Sequence, residues 1–135
     1  MEASLSSSFR LALTASLALI ALTNAASAAA EGLSGSWHGS GSVVLPSGAT
    51  EKARCKVSFN KQGGKSYGMN AVCASSSARA AQTATLKQIG ANKYAGEFTN
   101  AEYGVSGSIS ITVNGSSLSA SLRGGGGSAF FNLSR

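Results

Sequence analysis

Hydrophobic and polar residues alternate along most of the chain beyond its first thirty residues. Alternate side chains leave opposite faces of a β-strand, so a period of two predicts strands with one apolar face and one polar face. The clearest case is the segment 105–113, in which apolar residues and glycine alternate with serine and threonine. The pattern predicts eight strands, at approximately residues 35–45, 50–60, 66–74, 82–89, 93–99, 103–113, 116–123 and 127–134.

Segments rich in Gly, Pro and Asn separate these strands and predict tight turns. Asn114-Gly115 is the strongest hairpin signal, because both residues tolerate the positive φ angles of a type I′ turn. Short sequential strands joined in this way favour an all-β fold, a small antiparallel up-and-down meander barrel of about eight strands. A two-sheet β-sandwich is the alternative. The polar outer face argues against a transmembrane barrel, whose outside is apolar.

The first 30 residues have the pattern of a secretory signal peptide. Arg10 precedes an apolar segment at 11–22, and a run of small residues ends at Ala30. The apolar segment is shorter than the roughly 20 residues of a membrane-spanning helix. We therefore expect cleavage after Ala28 or Ala30, and a single domain over residues 31–135. This domain is expected in the periplasm or outside the cell, not as an integral membrane protein.

The chain has two cysteines, Cys55 and Cys73. If they face each other across a hairpin, the centre of the hairpin falls at Gly64, where glycines independently predict a turn. This agreement, together with the expected export, predicts a cross-strand disulfide. By the loop-closure estimate, such a bond contributes about 3 kcal/mol to the free energy of unfolding.

The composition is basic, with 11 Lys and Arg against 5 Asp and Glu and a formal net charge of +6. Positive potential attracts polyanions such as nucleic acid, anionic lipid and acidic polysaccharide. The cations are spread along the sequence, which is more typical of a solvated surface. Weak polyanion binding therefore remains an alternative, and no specific recognition of nucleic acid is expected.

Residues suited to catalysis or metal binding are few. His38 is the single histidine and there is no aspartate, which excludes a Ser-His-Asp triad. The histidine, cysteines and glutamates lack the spacing of a zinc or calcium site, so neither a metal nor another cofactor is expected. Glu97 and Glu102 are the pair that a glutamate-dependent hydrolase would use. These observations favour a protein that is not an enzyme.

Two outward features are candidate surface contacts. Phe130 points outward if its two neighbours in the strand point inward. The other feature is a polar row on the sixth predicted strand, formed by Ser106, Ser108, Ser110 and Thr112. Such a row offers hydrogen bonds to a glycan or a partner chain, although small polar residues also keep an exposed sheet face soluble.

Several glycines fall at inward positions of the predicted strands. Glycine there leaves space in a barrel either for neighbouring aromatic side chains or for a ligand, and the pattern does not decide between the two. These glycines are Gly39, Gly41, Gly96 and Gly107.

The region after the signal peptide resembles small exported proteins of rhizobium-like alphaproteobacteria, for which no activity is established. The resemblance lies in GSWHGSG at 35–41, EKARCKV at 51–57, CAS at 73–75 and YAGEF at 94–98. It implies export, the β fold and the disulfide. More distantly, Gly35 and Trp37 are similar to the Gly-x-Trp start of calycin barrels, which include lipocalins and periplasmic metalloprotease inhibitors.

These observations together favour a non-catalytic exported envelope protein that binds a protein, a glycan or an envelope polymer. The first alternative is a calycin-like protease inhibitor or small-ligand carrier. The second is a hydrolase that uses Glu97 or Glu102.

Overall fold

The chain folds into a closed antiparallel β-barrel, seen in a computed structural model that describes residues 32–135. Each strand pairs with the next, and the last pairs with the first, so the predicted up-and-down barrel is confirmed. The predicted signal peptide at 1–30 lies outside the described residues. The strands are β1 (Gly35–Val44), β2 (Thr50–Gly63), β3 (Ser66–Ser75), β4 (Arg79–Gln88), β5 (Lys93–Asn100), β6 (Val105–Asn114), β7 (Ser117–Gly124) and β8 (Gly127–Ser134).

Some local expectations were wrong. β2 ends at Gly63, three residues after the predicted end, and β6 begins at Val105, two residues after the predicted start. Strand β4 begins at Arg79, three residues before the predicted start. The β6–β7 turn is Gly115-Ser116, because Asn114 ends β6 by pairing with Ser117. Gly115 has a φ of 60° and no non-glycine residue in the described range has a positive φ. This combination is typical of a type II′ turn, in which only the first central residue needs a positive φ.

The disulfide predicted from the hairpin register is confirmed. Cys55 and Cys73 lie directly opposite each other in the β2–β3 pair and are bonded, with their Cα atoms 4.1 Å apart. A structural disulfide of this kind is typical of proteins outside the reducing cytosol. Within the described range, no helix has the length and hydrophobicity needed to cross a membrane.

Inward side chains from all eight strands form a single hydrophobic core. Burying each large side chain removes apolar surface from water, at roughly 1.5–3 kcal/mol per residue. An eight-stranded barrel is just wide enough for its side chains to fill it, or to hold one small ligand. The largest fully buried side chains are Trp37, Tyr94, Phe59, Leu33, Leu86, Ile111 and Leu118.

The inward glycines mark places where neighbouring strands approach closely. A Cβ atom at Gly41 would overlap the carbonyl oxygen of Phe130 and lie 2.7 Å from the Cα atom of Phe131, both on β8. The space beside Gly41 is therefore filled by the backbone of β8 and by the ring of Phe131, whose Cδ1 atom would lie 2.6 Å from the added Cβ. Glycine at such positions lets the strands of a small barrel bend sharply. The same backbone approach occurs at Gly39, Gly96, Gly107 and Gly124.

The open end of the barrel as a candidate binding site

One end of the barrel is closed by aromatic side chains. The indole Nε1–H of Trp37 donates a hydrogen bond to the carbonyl oxygen of Leu33 at 2.9 Å, and Trp37 is only 1% exposed. The rings of Tyr67 and Tyr94 pack edge to face, with their centroids 5.2 Å apart. This end leaves no passage into the barrel for a ligand, because the side chains that line it are buried.

Arg135 packs on the outside of the same end and stabilises it. Its guanidinium carbon lies 4.2 Å from the centroid of the Trp37 ring, an arrangement suited to a cation–π interaction. Nη1 donates a hydrogen bond to the carbonyl oxygen of Ser34 at 3.0 Å, and Nη2 donates to that of Gly115 at 3.5 Å. One side chain thus joins the start of β1, the β6–β7 turn and the end of the barrel.

Tyr94 gives the closed end a dependence on pH. Burial raises the pKa of its hydroxyl, and the neighbouring Tyr67 raises it further. Because the folded state holds this proton more tightly than the unfolded state, we expect the stabilising effect to be complete below the unfolded pKa of about 10 and to decline as the pH rises above it. The free energy of unfolding, measured in urea, should fall less between pH 8 and pH 10.5 in the Tyr94→Phe protein than in the native protein. An equal fall in both proteins would contradict this assignment.

The other end of the barrel opens into a cavity of about 370 Å³. The loops β1–β2, β3–β4 and β5–β6 and the β7–β8 turn surround its mouth. Its volume lies in the range of small-molecule sites in proteins, about 300–1,000 Å³. Most of the wall is apolar and includes Val43, Ala53, Ala80, Phe98, Val105, Leu122, Ala129 and Phe131.

The disulfide lies at the bottom of this cavity. Cys73 lines both the cavity and a smaller void of about 30 Å³ beneath it, and Cys55 lines only the void. Gln82, Leu122 and Phe131 also line both spaces. Apart from Gln82, the side chains that line the void are apolar, so it extends the apolar interior below the mouth.

Two amide side chains face this apolar space. Gln82 is half-buried and Asn100 is only 6% exposed, yet both line the cavity. In the β4–β5 pair Thr83 lies opposite Thr99, so the same register continued by one residue places Gln82 opposite Asn100. The Gln82 amide makes no hydrogen bond to another described residue. Its atoms are not fully buried, so solvent in the cavity can reach them. Its donor and acceptor are therefore available to a ligand in the cavity.

Asn100 also shapes the rim. Its Oδ1 accepts a hydrogen bond from the backbone N–H of Tyr103, three residues later, at 3.1 Å. This bond holds the β5–β6 loop so that the exposed Tyr103 ring lines the mouth. The Nδ2 group of Asn100 is not used in that bond and remains a donor beside Gln82.

Among residues 32–135, Glu51 is the single charged residue that lines the cavity. Both of its carboxylate oxygens accept hydrogen bonds from the Ser77 hydroxyl, at 2.8 and 2.9 Å. These contacts hold the β3–β4 loop against the start of β2. The rim of the mouth therefore includes one carboxylate, held by the β3–β4 loop.

The candidate surface contacts and the candidate catalytic glutamates lie away from this cavity. Phe130 is 48% exposed on the outer face of β8, and Ser110 shares a cross-strand row with it through Ser121 of β7. The surface-contact role of the row Ser106, Ser108, Ser110 and Thr112 remains a prediction. Glu97 lies outward on β5 and Glu102 lies in the β5–β6 loop, both exposed and outside the cavity. Residues 32–135 contain no group of three His, Cys, Asp or Glu able to hold a metal ion.

Sequence reasoning did not find Gln82 and Asn100. Gln82 has the same parity as the buried Ala84 and Leu86, so its inward direction was available from the alternation. It was assigned to the start of a strand and not recognised as a polar group inside a barrel. Asn100 was placed just beyond the fifth strand, where an asparagine reads as a turn residue.

Comparison with known proteins shows the fold alone. No protein-family model and no curated protein matches the chain. A redesigned β-barrel, mFAP1, bound to DFHBI, is 12% identical with a TM-score of 0.65, and the match covers 76% of this chain and 94% of that one. A second redesigned barrel, b11L5F_LGL, has a TM-score of 0.61 at 12% identity and covers 76% and 90% of the two chains. A de novo designed fluorescence-activating β-barrel has a TM-score of 0.61 at 14% identity, covering 79% and 96%.

Proposed function

We propose that this protein is a non-catalytic carrier or receptor that binds one small, neutral, largely apolar molecule in the open end of its barrel. The observation that carries the proposal is an apolar cavity of about 370 Å³ that is lined also by two amide residues, Gln82 and Asn100. Sites for small molecules typically combine apolar walls with a few polar groups that fix orientation. Of the functions considered from the sequence, the cavity favours the small-ligand carrier.

The lining residues define the chemistry of the ligand. Phe98, Leu122 and Phe131 supply apolar contact, which suits a hydrocarbon or aromatic body. Gln82 offers one donor group and one acceptor, and Nδ2 of Asn100 offers a second donor, so a carbonyl or hydroxyl on the ligand would be recognised. The carboxylate of Glu51 at the rim disfavours an anionic ligand such as a fatty acid.

Two further considerations support the proposal. The closed end prevents access through Trp37 and Arg135, so a ligand enters and leaves by the mouth alone. The similar designed barrel mFAP1 is bound to DFHBI, which shows that a barrel of comparable fold has a bound compound. With the disulfide and the signal-like leader, we place this carrier in the periplasm or outside the cell.

The proposal is tested with N-phenyl-1-naphthylamine, a neutral aromatic probe whose fluorescence reports an apolar environment. We expect saturable binding to the oxidised protein with a stoichiometry of one. In Ala80→Trp the indole would occupy the cavity beside Cys73, and the affinity should fall at least about tenfold, because the volume available to the probe is lost. Fluorescence titration at constant protein concentration measures the change.

Ala81→Trp is the matched control. Ala81 follows Ala80 in β4 but faces outward and is exposed, so the same side chain added there leaves the cavity unchanged. Its affinity for the probe should remain within about twofold of that of the native protein, since no contact with the ligand changes. Equal affinities in the two tryptophan variants, or no saturable binding by the native protein, would exclude the cavity as a binding site.

A further inference from the structure

The positive charge of the barrel is concentrated on one half of its outer surface. The outward residues of β1 to β4 include five cations and no carboxylate. The other two charged residues of these strands, Glu51 and Lys61, have the inward parity of β2 and lie near its two ends, Glu51 at the rim of the mouth. The outward residues of β5 to β8 carry two cations and one carboxylate, and are otherwise mostly serine and threonine. The five cations are Lys52, Arg54, Lys56, Arg79 and Lys87.

Three of these cations form a row along β2. Lys52, Arg54 and Lys56 occupy alternate positions on the outer face, with Cα atoms about 7 Å apart for successive members. Arg79 belongs to the same surface, because Arg54 and Arg79 both lie opposite Ala74, from its two sides. Two strand spacings separate them, about 10 Å. We call Lys52, Arg54, Lys56 and Arg79 the basic face.

The residues around the basic face are small. Ser42 and Ser40 of β1 lie opposite Lys52 and Arg54. Because these neighbours are short, they leave the cationic groups accessible to a ligand. Like charges on adjacent positions repel each other and cost folding free energy. The outer face of these four strands has no carboxylate beside the three cations. Their mutual repulsion therefore destabilises the isolated barrel, and a bound anion would relieve it.

A shallow groove of about 550 Å³ begins at one end of the basic face. Lys56 lines this groove together with hydrogen-bonding side chains from all four strands. The outward polar residues of the groove are Ser36, His38, Lys56, Ser58, Asn70 and Thr83. Hydroxyl, amide and imidazole groups such as these donate and accept hydrogen bonds, which suits a ligand rich in hydroxyl groups.

We infer that the basic face and its groove bind an acidic polysaccharide, with carboxylate groups of the polymer on the β2 row and sugar hydroxyls in the groove. Charge complementarity supplies the attraction, and release of counterions from the polymer makes it dependent on salt. The basic face lies on the outside of the barrel and the cavity lies inside it, so the inference does not depend on the small-ligand function.

The surface fits a polysaccharide better than other polyanions. No Phe, Tyr or Trp side chain is exposed on the outer faces of β1 to β4, where the exposed large hydrophobic residues are Val44 and Val72. Single-stranded nucleic acids are bound by aromatic platforms on which bases stack, and peripheral membrane binding uses large apolar side chains that enter the lipid. A hydroxyl-rich acidic chain needs neither of these features.

The test compares two triple variants of equal composition. In the first, Lys52→Gln, Arg54→Gln and Lys56→Gln remove the β2 row. In the second, Lys65→Gln, Lys93→Gln and Arg123→Gln remove two lysines and one arginine that lie elsewhere. Binding to alginate, a polyuronate, is measured at a series of salt concentrations, with neutral dextran as the reference polymer and vesicles of phosphatidylglycerol and phosphatidylcholine as the lipid surface.

We expect the native protein to bind alginate but not dextran. The β2 triple variant should bind alginate on the order of tenfold more weakly, and the slope of log affinity against log salt should fall by about one for each cation removed. The second triple variant should lose no more than about twofold, because its charges lie beyond the screening length of about 8–10 Å from the row. Binding of N-phenyl-1-naphthylamine should be unchanged in both.

Three results would overturn the inference: no binding of alginate, equal losses in the two variants, or stronger binding to the anionic vesicles than to alginate. No binding of alginate would show that the site does not exist. Equal losses would show that the attraction depends on net charge alone, and stronger binding to vesicles would show that the basic face binds membranes. Protection from acetylation provides a test that needs no variant. In the native protein, alginate should protect Lys52 and Lys56 but leave Lys93 reactive, as measured by mass spectrometry, and equal reactivity would contradict the site.

Discussion

Gly41→Ala is expected to lower the free energy of unfolding by about 3 kcal/mol, the upper end of the range for overpacked interiors. The added Cβ would overlap the backbone of Phe130 and Phe131, where no side-chain rotation can relieve the contact. Strands β1 and β8 would have to separate at the seam that closes the barrel. Urea unfolding followed by tryptophan fluorescence measures the change, because Trp37 lies in β1 and is buried.

Gly90→Ala is the matched control for this substitution. Gly90 has no positive φ, and the nearest atom to a Cβ there is the Lys93 side chain at 3.6 Å, an ordinary contact distance. The free energy of unfolding of the Gly90→Ala protein should lie within about 1 kcal/mol of that of the native protein. The main effect of alanine there is to reduce the conformational entropy of the unfolded chain. A Gly41→Ala protein as stable as the Gly90→Ala protein would refute the close approach of β1 and β8.

Removing the disulfide with Cys55→Ala and Cys73→Ala should cost about 3 kcal/mol, by the loop-closure estimate for this separation along the chain. The bond joins directly opposite residues of β2 and β3, so the folded barrel retains its register without it and the main effect falls on the unfolded chain. The cavity floor also loses two sulfur atoms, so the affinity for N-phenyl-1-naphthylamine is a second measure of the change.

Reduction separates the contribution of the bond from that of the side chains. Dithiothreitol should lower the urea midpoint of the native protein toward that of the double alanine variant, while leaving the variant unaffected. If reduction leaves the native midpoint unchanged while the variant is destabilised, the loss arises from packing around the alanines and not from the crosslink.

Features set by local residue patterns were predictable from the sequence. The disulfide followed from agreement among three signals: the alternation in β2, the glycines around residue 64 and the equal distances of Cys55 and Cys73 from that turn. The outward direction of Phe130 followed from parity alone. Each of these depends on neighbours in one strand or one hairpin, where the period of two determines which face a side chain occupies.

Features that depend on distances between strands were not predictable. Parity shows that Gly41 points inward, but only the closed barrel shows that the backbone of β8 occupies the space beside it. The cavity depends on how four separate loops and turns stand around the mouth, which no segment specifies by itself. Similarly, Arg54 and Arg79 are distant in sequence, and only the β2–β3–β4 register brings them onto one surface.

The position of Arg135 has a practical consequence for handling the molecule. β1 begins and β8 ends at the closed end, where Arg135 contacts Trp37 and Ser34. A surface or label attached after Arg135 would therefore lie at the opposite end of the barrel from the mouth. Protein immobilised through that position would present its cavity to the solution. The basic face would lie on the side of the barrel, perpendicular to the support. Sensor measurements on such a layer should report ligand binding at the mouth without steric interference from the support, whereas the groove that includes Ser36 and His38 lies nearer to the support.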